Sequence, residues 1–258
     1  DFAALRKKTL ASWDDYLGRL AVSGGSEELL TMFYSALYRV FLQPSVWSDV
    51  DGSYFGFDQK THPGDGHVHY ANFSGWDIYR SWIQLVALLA PKETSDIIRS
   101  LILDGQQGGA LPKWDYGASE TGVMTGDPAD ALIANAWAFG ATDFDPKAAL
   151  ALMLHGARDV DATCNELRVR PGLRDCLDRH YCPVDAVDGV SGPVAATLEY
   201  AIADAAISRF AAMQGDAKTA SEFADRSTYW RNLFDPKAKA GDAVGLLQPR
   251  RRTDVAGA

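Results

Sequence analysis

The chain has 258 residues, 47% of them hydrophobic, which places it among globular proteins that bury a core and excludes a disordered one. Its net charge of −9, with Lys and Arg scattered rather than striped, argues against nucleic acid and anionic membrane as partners. No apolar run of about 18 residues appears, so nothing in the sequence reads as a membrane-spanning helix.

In chain order, the first stretch, DFAALRKKTLASWDDYLGRL, has helical periodicity over 2–20 and no charged-then-apolar leader. SEELLTMFYSALYRVFL predicts a second helix with Ser26 as its N-cap. About thirty residues rich in Gly, Asp, His and Pro follow without helical period, a length that in a compact domain points to function or to a partner. WDIYRSWIQLVALLA and PKETSDIIRSLILDG then read as an α-hairpin, with Pro91 in a first turn and Gly105 as the stop.

A second Gly-rich connection, QQGGALPKWDYGASETGVMTG, precedes two helices that each begin at an Asp-Pro signal, DPADALIANAWAFGA and DPKAALALMLHGARD. Residues 161–192 read as irregular and carry Cys164, Cys176 and Cys182. One local disulfide is open to them, and so is a zinc site with His180 as fourth ligand, although no CxxC pair is present. GPVAATLEYAIADAAISRFAAMQ and DAKTASEFADRSTYWRNLF form a third helix pair. The terminal Arg250, Arg251 and Arg252 read as a solvated tail.

Strand patterns are nearly absent, so the fold class is all-α. Helix, long loop, helix and short turn, repeated, is the rhythm of a toroid of α-hairpins whose long connections gather at one end. The helices legible here are too few to close a ring of six hairpins, so the toroid is expected to be incomplete.

In order and spacing, FYSALYRVFLQPSVWSDVDGSYFGFD, YANFSGWDIYRSW, GGALPKWDYGASETGVMTGDPAD, TLEYAIADAAISRFA and STYWRNLFDP resemble the catalytic domain of glycoside hydrolase family 92, the calcium-dependent exo-acting α-mannosidases. The resemblance covers almost all of residues 2–250. It implies a partial (α/α)6 toroid, with residues 1–25 as a linker helix region and 26–258 as the first part of the catalytic domain. An N-terminal β-sandwich and the second half of the toroid would lie outside the chain, as the remainder of its own polypeptide.

The activity implied is removal of terminal α-linked mannose from a mannose-containing glycan, with inversion. The family's general acid and general base are expected beyond Ala258, so no catalytic residue is assigned here and the isolated chain is expected to be inactive. Calcium is implied as cofactor, with its ligands largely outside this chain. Asp49 and Asp51 in SDVDG invite a calcium reading, but the segment lacks the other ligands of a calcium loop and fits turn or capping roles. The family's habit of acting on glycans outside the cytoplasm favours a secreted or periplasmic location.

The resemblance makes Trp76 and Asp77 the lining of the subsite for the terminal mannose. Asp77 would accept hydrogen bonds from sugar hydroxyls and Trp76 would face the ring's C–H groups. Without it, Asp77 reads as a helix-dipole partner and Trp76 as core. Tyr79, Arg80 and Trp82 stay ambiguous between clamp and pocket wall. Trp114 on its Gly-flanked connection reads as a carbohydrate platform or a loop anchor, with Lys113 and Glu120 as polar companions. His67 and His69 alternate as metal ligands would, or as surface-loop residues. After Glu120, residues 121–127 depart from the family's usual Thr-Asn-Cys-Met-Ile-Gly-Tyr-His, which puts the preferred linkage in doubt. Two further readings are a non-catalytic carbohydrate-binding or degenerate relative, and a helical scaffold for a protein partner.

Overall fold

A computed structural model describes residues 1–254, so the last residues of the expected catalytic segment, up to 258, lie outside the described residues. Two helices open the chain, α1 (Phe2–Gly18) and α2 (Glu27–Val40). Ser26 caps α2 as expected, its hydroxyl accepting from the Leu29 amide at 3.3 Å. α1 buries none of its residues and α2 only Leu37. They are held by aromatic contacts, Trp13 on Tyr38 and Tyr16 on Phe41, and by the Tyr16 hydroxyl donating to Glu93 at 2.6 Å.

The first long connection is less irregular than its composition suggests. β1 (Ser45–Val46) pairs antiparallel with β4 (Tyr70–Ala71), and β2 (Tyr54–Phe55) with β3 (Thr61–His62). The expected single helix over 76–90 is two, α3 (Gly75–Ile78) and α4 (Trp82–Leu89). Tertiary anchoring breaks it: the Trp82 indole donates to the carbonyl of Val40 at the end of α2, 2.7 Å away, and Ser81 leaves helical geometry at φ −152°. α5 (Pro91–Gly108) runs past Gly105 and stops at Gly109, whose φ of +101° a side chain would resist. Gly105 serves packing instead, since a Cβ there would lie 3.1 Å from Leu152.

α6 (Pro128–Ala138) and α7 (Pro146–Arg158) both start on the expected prolines. Asp145 caps α7 through the amides of Lys147 and Ala148. Asp127 makes no side-chain cap, because its carboxylate is drawn inward. Residues 161–192 are more ordered than expected and contain β5 (Thr163–Cys164), β6 (Leu167–Arg168) and α8 (Leu173–Arg179). Cys176 and Cys182 form a disulfide and Cys164 is buried and free. That pairing removes the zinc reading, and His180 instead stacks on Tyr229 at 4.2 Å. α9 (Pro193–Met213) and α10 (Ala217–Arg226) form the third helix pair, followed by a 3-10 turn and an unforeseen hairpin of β7 (Phe234–Ala240) and β8 (Ala243–Leu247). The terminal arginines are not a free tail: Arg252 pairs with Asp175 of α8 at 3.0 Å.

The core joins α4, α5, α6, α7, α9 and α10 through Ile83, Ile98, Leu132, Met153, Phe210 and Phe223. α9 presents alanines to its neighbours, among them Ala203 and Ala211, so helix backbones approach closely. At its centre lies an ion network. Arg170, wholly buried, donates to Asp127 at 2.8 Å, Asp130 at 2.9 Å and Asp204 at 2.7 Å, and Arg226 donates to Asp204 at 2.9 Å. Two guanidinium groups face three carboxyl groups, so one carboxyl is in excess. Burial, and next the neighbouring Asp127, push Asp130 well above the carboxylate range, which makes it the member on which a proton is favoured. No described helix is long and apolar enough to cross a membrane.

This charge balance separates two substitutions. Arg170→Met strands buried carboxylates and is expected to cost about 3–5 kcal/mol in urea unfolding. Asp130→Asn, which removes the excess carboxyl and keeps its acceptor for Arg170, is expected to stay within about 1 kcal/mol of the parent.

Candidate functional site

Three connections, residues 44–74, 109–127 and 159–172, meet beside α3. Isolated bridges place Ser74 against Trp114 and Asp115 against Glu120. Trp76 and Asp77 are thereby carried on a segment adjoining that of Trp114, which lies far from them in sequence. Asp77 is exposed in the first turn of α3, with one carboxylate oxygen accepting from the Ser74 hydroxyl at 2.8 Å. Trp76 is half-buried against the core. Gly75 permits this approach, since a Cβ there would meet the Lys113 carbonyl and, at 2.7 Å, the Pro128 ring.

The ambiguous neighbours resolve into a wall. Arg80 lies over the Trp76 ring, 4.5 Å from its centre, donates to the Trp76 carbonyl, and pairs with Glu199 of α9 at 3.0 Å. The Tyr79 hydroxyl donates to the other Glu199 oxygen at 2.8 Å. Burial and then that carboxylate hold the Tyr79 hydroxyl well above its usual range, so it stays a donor. Glu199, about 120 residues downstream, had no local signal that could connect it to this wall.

Carboxylates fasten the loops from inside. Glu120, buried, accepts from the amides of Lys113 at 2.5 Å, Trp114 at 3.2 Å and Gly122 at 2.7 Å, while its own amide donates to Asn165. Lys113 is buried, and its ammonium reaches the Arg168 carbonyl at 3.5 Å. Asp115, which sequence reading passed over, accepts from the amides of Asn72 at 2.7 Å and Phe73 at 2.6 Å. Asn72, at φ +67°, accepts in turn from the Gly117 amide. The segment leading into Trp76 and Asp77 therefore hangs on one buried side chain. Burial, then the nearby Asp104 carboxyl, raises Asp115 to about 7 against the pull of its two amides.

The histidines of the first loop do not converge on a metal. His69 is buried, stacked on Tyr54, with Nε2 3.2 Å from Asp104. Burial lowers its imidazole to about 4 and raises the Asp104 carboxyl well above its ordinary range. His67 sits beside Asp65. Asp51 accepts from the amide and hydroxyl of Ser53, a turn role. Among the described residues no group of three or more His, Cys, Asp or Glu side chains is arranged to hold a metal ion.

A family model described as the glycosyl hydrolase family 92 catalytic domain matches residues 1–255. The chain belongs to that family. Among solved structures it is similar to the family GH92 inverting mannosidase BT2199 from Bacteroides thetaiotaomicron, with 27% identity, TM-score 0.84, and coverage of 98% of this chain and 33% of that one. It is also similar to the family GH92 α-mannosidase BT3965 of the same organism, at 26% identity, TM-score 0.85, and coverage of 97% and 32%. The same enzyme in complex with mannoimidazole matches with TM-score 0.86 and 26% identity, over 97% of this chain and 31% of that one. A search of curated proteins returns no match. The chain spans about a third of the length of these family 92 structures.

For this family 92 chain, Asp115 gives a pH signature. Between about 4 and 7 the folded state holds a proton on Asp115 that the unfolded chain has released, so its contribution to stability falls as pH rises through that window. Relative to Asp115→Asn, the parent is expected to lose up to about 1.4 kcal/mol per pH unit there, read as the difference between the two in urea unfolding.

Proposed function

We propose that the chain is part of an inverting, exo-acting α-mannosidase that removes terminal α-linked mannose from glycans. It forms the first part of an (α/α)6 toroid over residues 26–258, led by linker helices in 1–25. The observation that carries this reading is Asp77, exposed on a short helix between Trp76 and a braced wall, with a carboxylate oxygen left for a ligand. The mannoimidazole complex of a relative supports a mannose-shaped ligand for this fold.

Within the site the chain's own residues bind and orient. Asp77 accepts hydrogen bonds from sugar hydroxyls, and its charge strengthens them. Trp76 and Trp114 supply apolar surface. Lys113 and Glu120 hold the Trp114 loop, with Glu120 occupied by three backbone amides. Inversion needs one carboxylic acid at the departing oxygen and one carboxylate at water, about 6.5–9.5 Å apart. Glu120 and Asp115 are committed to backbone amides, and the family resemblance puts that pair in polypeptide beyond Ala258.

Calcium is proposed as the cofactor, and it engages sugar hydroxyls when bound. By the family resemblance its ligands lie largely outside this chain, and no step is routed through it here. The Cys176–Cys182 disulfide supports a secreted or periplasmic location, where such bonds persist.

Hydrolysis of α-1,2-mannobiose by the intact polypeptide tests this reading. Mannose release that disappears on chelation and returns with calcium is expected, with none from the isolated 258-residue chain. Asp77→Ala should lower kcat/KM by about 100-fold or more. Activity of the isolated chain, or an Asp77→Ala enzyme as active as the parent, would sink the assignment.

A further inference from the structure

Beside the candidate mannose site stands an aromatic surface that the reading above does not use. Trp47 follows β1 and is 37% exposed, a large apolar ring left at the surface. It is not loose. Its indole N–H donates to the Phe55 carbonyl at 2.8 Å, its backbone amide donates to the His69 carbonyl at 2.8 Å, and its ring edge rests on Gly117. A Cβ on Gly117 would lie 3.2 Å from that ring, at a backbone φ of +63° that already disfavours a side chain. Tyr116, next to Gly117, is 81% exposed.

The same loop links this surface to the site. The Gly117 amide donates to Asn72, Asp115 clamps Asn72 and Phe73, and Trp114 bridges Ser74. The Trp47 ring is thus fixed relative to Trp76 and Asp77 by a short chain of hydrogen bonds. A pinned, partly exposed indole next to a sugar site fits the C–H face of a pyranose, which a flexible side chain would bind at a larger entropic cost. Asp49, exposed two residues on, accepts from the Gly52 amide through its backbone carbonyl, and its carboxylate offers an acceptor for hydroxyls.

We propose that Trp47, with Tyr116 beside it, is a stacking platform for a second sugar unit of the glycan, the one to which the terminal mannose is attached. The proposal rests on the mannosidase reading and deepens it by naming a leaving-group contact.

The test compares Trp47→Ala and Tyr116→Ala with the parent in the intact polypeptide, using α-1,2-mannobiose and α-mannosyl fluoride. Fluoride presents no second sugar. Trp47→Ala is expected to lower kcat/KM for the disaccharide about tenfold, mostly through KM, and to leave the fluoride within twofold. Tyr116→Ala should act in the same direction and less. Equal loss on both substrates, or no loss on either, overturns the platform. Should the parent hydrolyse neither substrate, calorimetric titration with mannobiose separates the two ideas. Binding that weakens about tenfold in Trp47→Ala keeps the platform while the catalytic reading falls. Binding unchanged by the substitution, or no binding by the parent, overturns the platform.

Discussion

Arg170 and the three carboxyl groups around it are the constraint on which the architecture turns. A buried guanidinium is tolerated only when its donors are met, and here they are met from the start of α6, from within α6 and from the middle of α9. The network is therefore satisfied in one mutual arrangement of those helices. Arg226 extends it to α10 through Asp204. Because Asp127 ends the 109–127 connection, the same network fixes where that loop leaves the body. Apolar packing of alanine-rich α9 would by itself permit several registers, since small side chains interdigitate weakly.

From that fixed point the loops are built by carboxylates acting as substitutes for secondary structure. Backbone amides in an irregular loop need acceptors as much as those of a sheet do. Glu120 supplies three of them and Asp115 two, each from a buried position that water cannot contest. The result is a rigid rim in which Trp76, Asp77, Trp114 and Trp47 keep fixed relative positions while their outer surfaces stay available. The same logic explains why Glu199 lies on α9: it holds Arg80 and Tyr79, and so ties the wall of the site to the helix that carries the ion network.

The structure also shows how one side-chain type takes different tasks according to depth. Asp77 and Asp49 are exposed and free to meet a ligand. Asp115 and Glu120 are buried and spent on amides, Asp127, Asp130 and Asp204 on guanidinium groups, and burial raises Asp130 and Asp104 well above the ordinary carboxylate range. Sequence reading had no access to depth. It weighed Glu120 as a pocket residue and Asp127 as a helix cap, and each proved to have a nearer partner in space.

What the sequence determined was local or composite. Helix positions followed from apolar spacing and from Pro91, Pro128 and Pro146, because those signals act within one or two turns. Family membership followed from five ordered blocks, because their joint occurrence is improbable. The tertiary structure decided whatever depended on a distant partner: the break before Trp82, set by the Val40 carbonyl; the use of Gly105 for packing against Leu152 rather than as a stop; and the Cys176–Cys182 pairing. It also decided the short hairpins, whose two-residue strands leave no periodicity to read. The braces of the site, Asp115, Glu199 and Arg170, belong to this second class, since a side chain's role there is fixed by which amide or charge the fold brings to it.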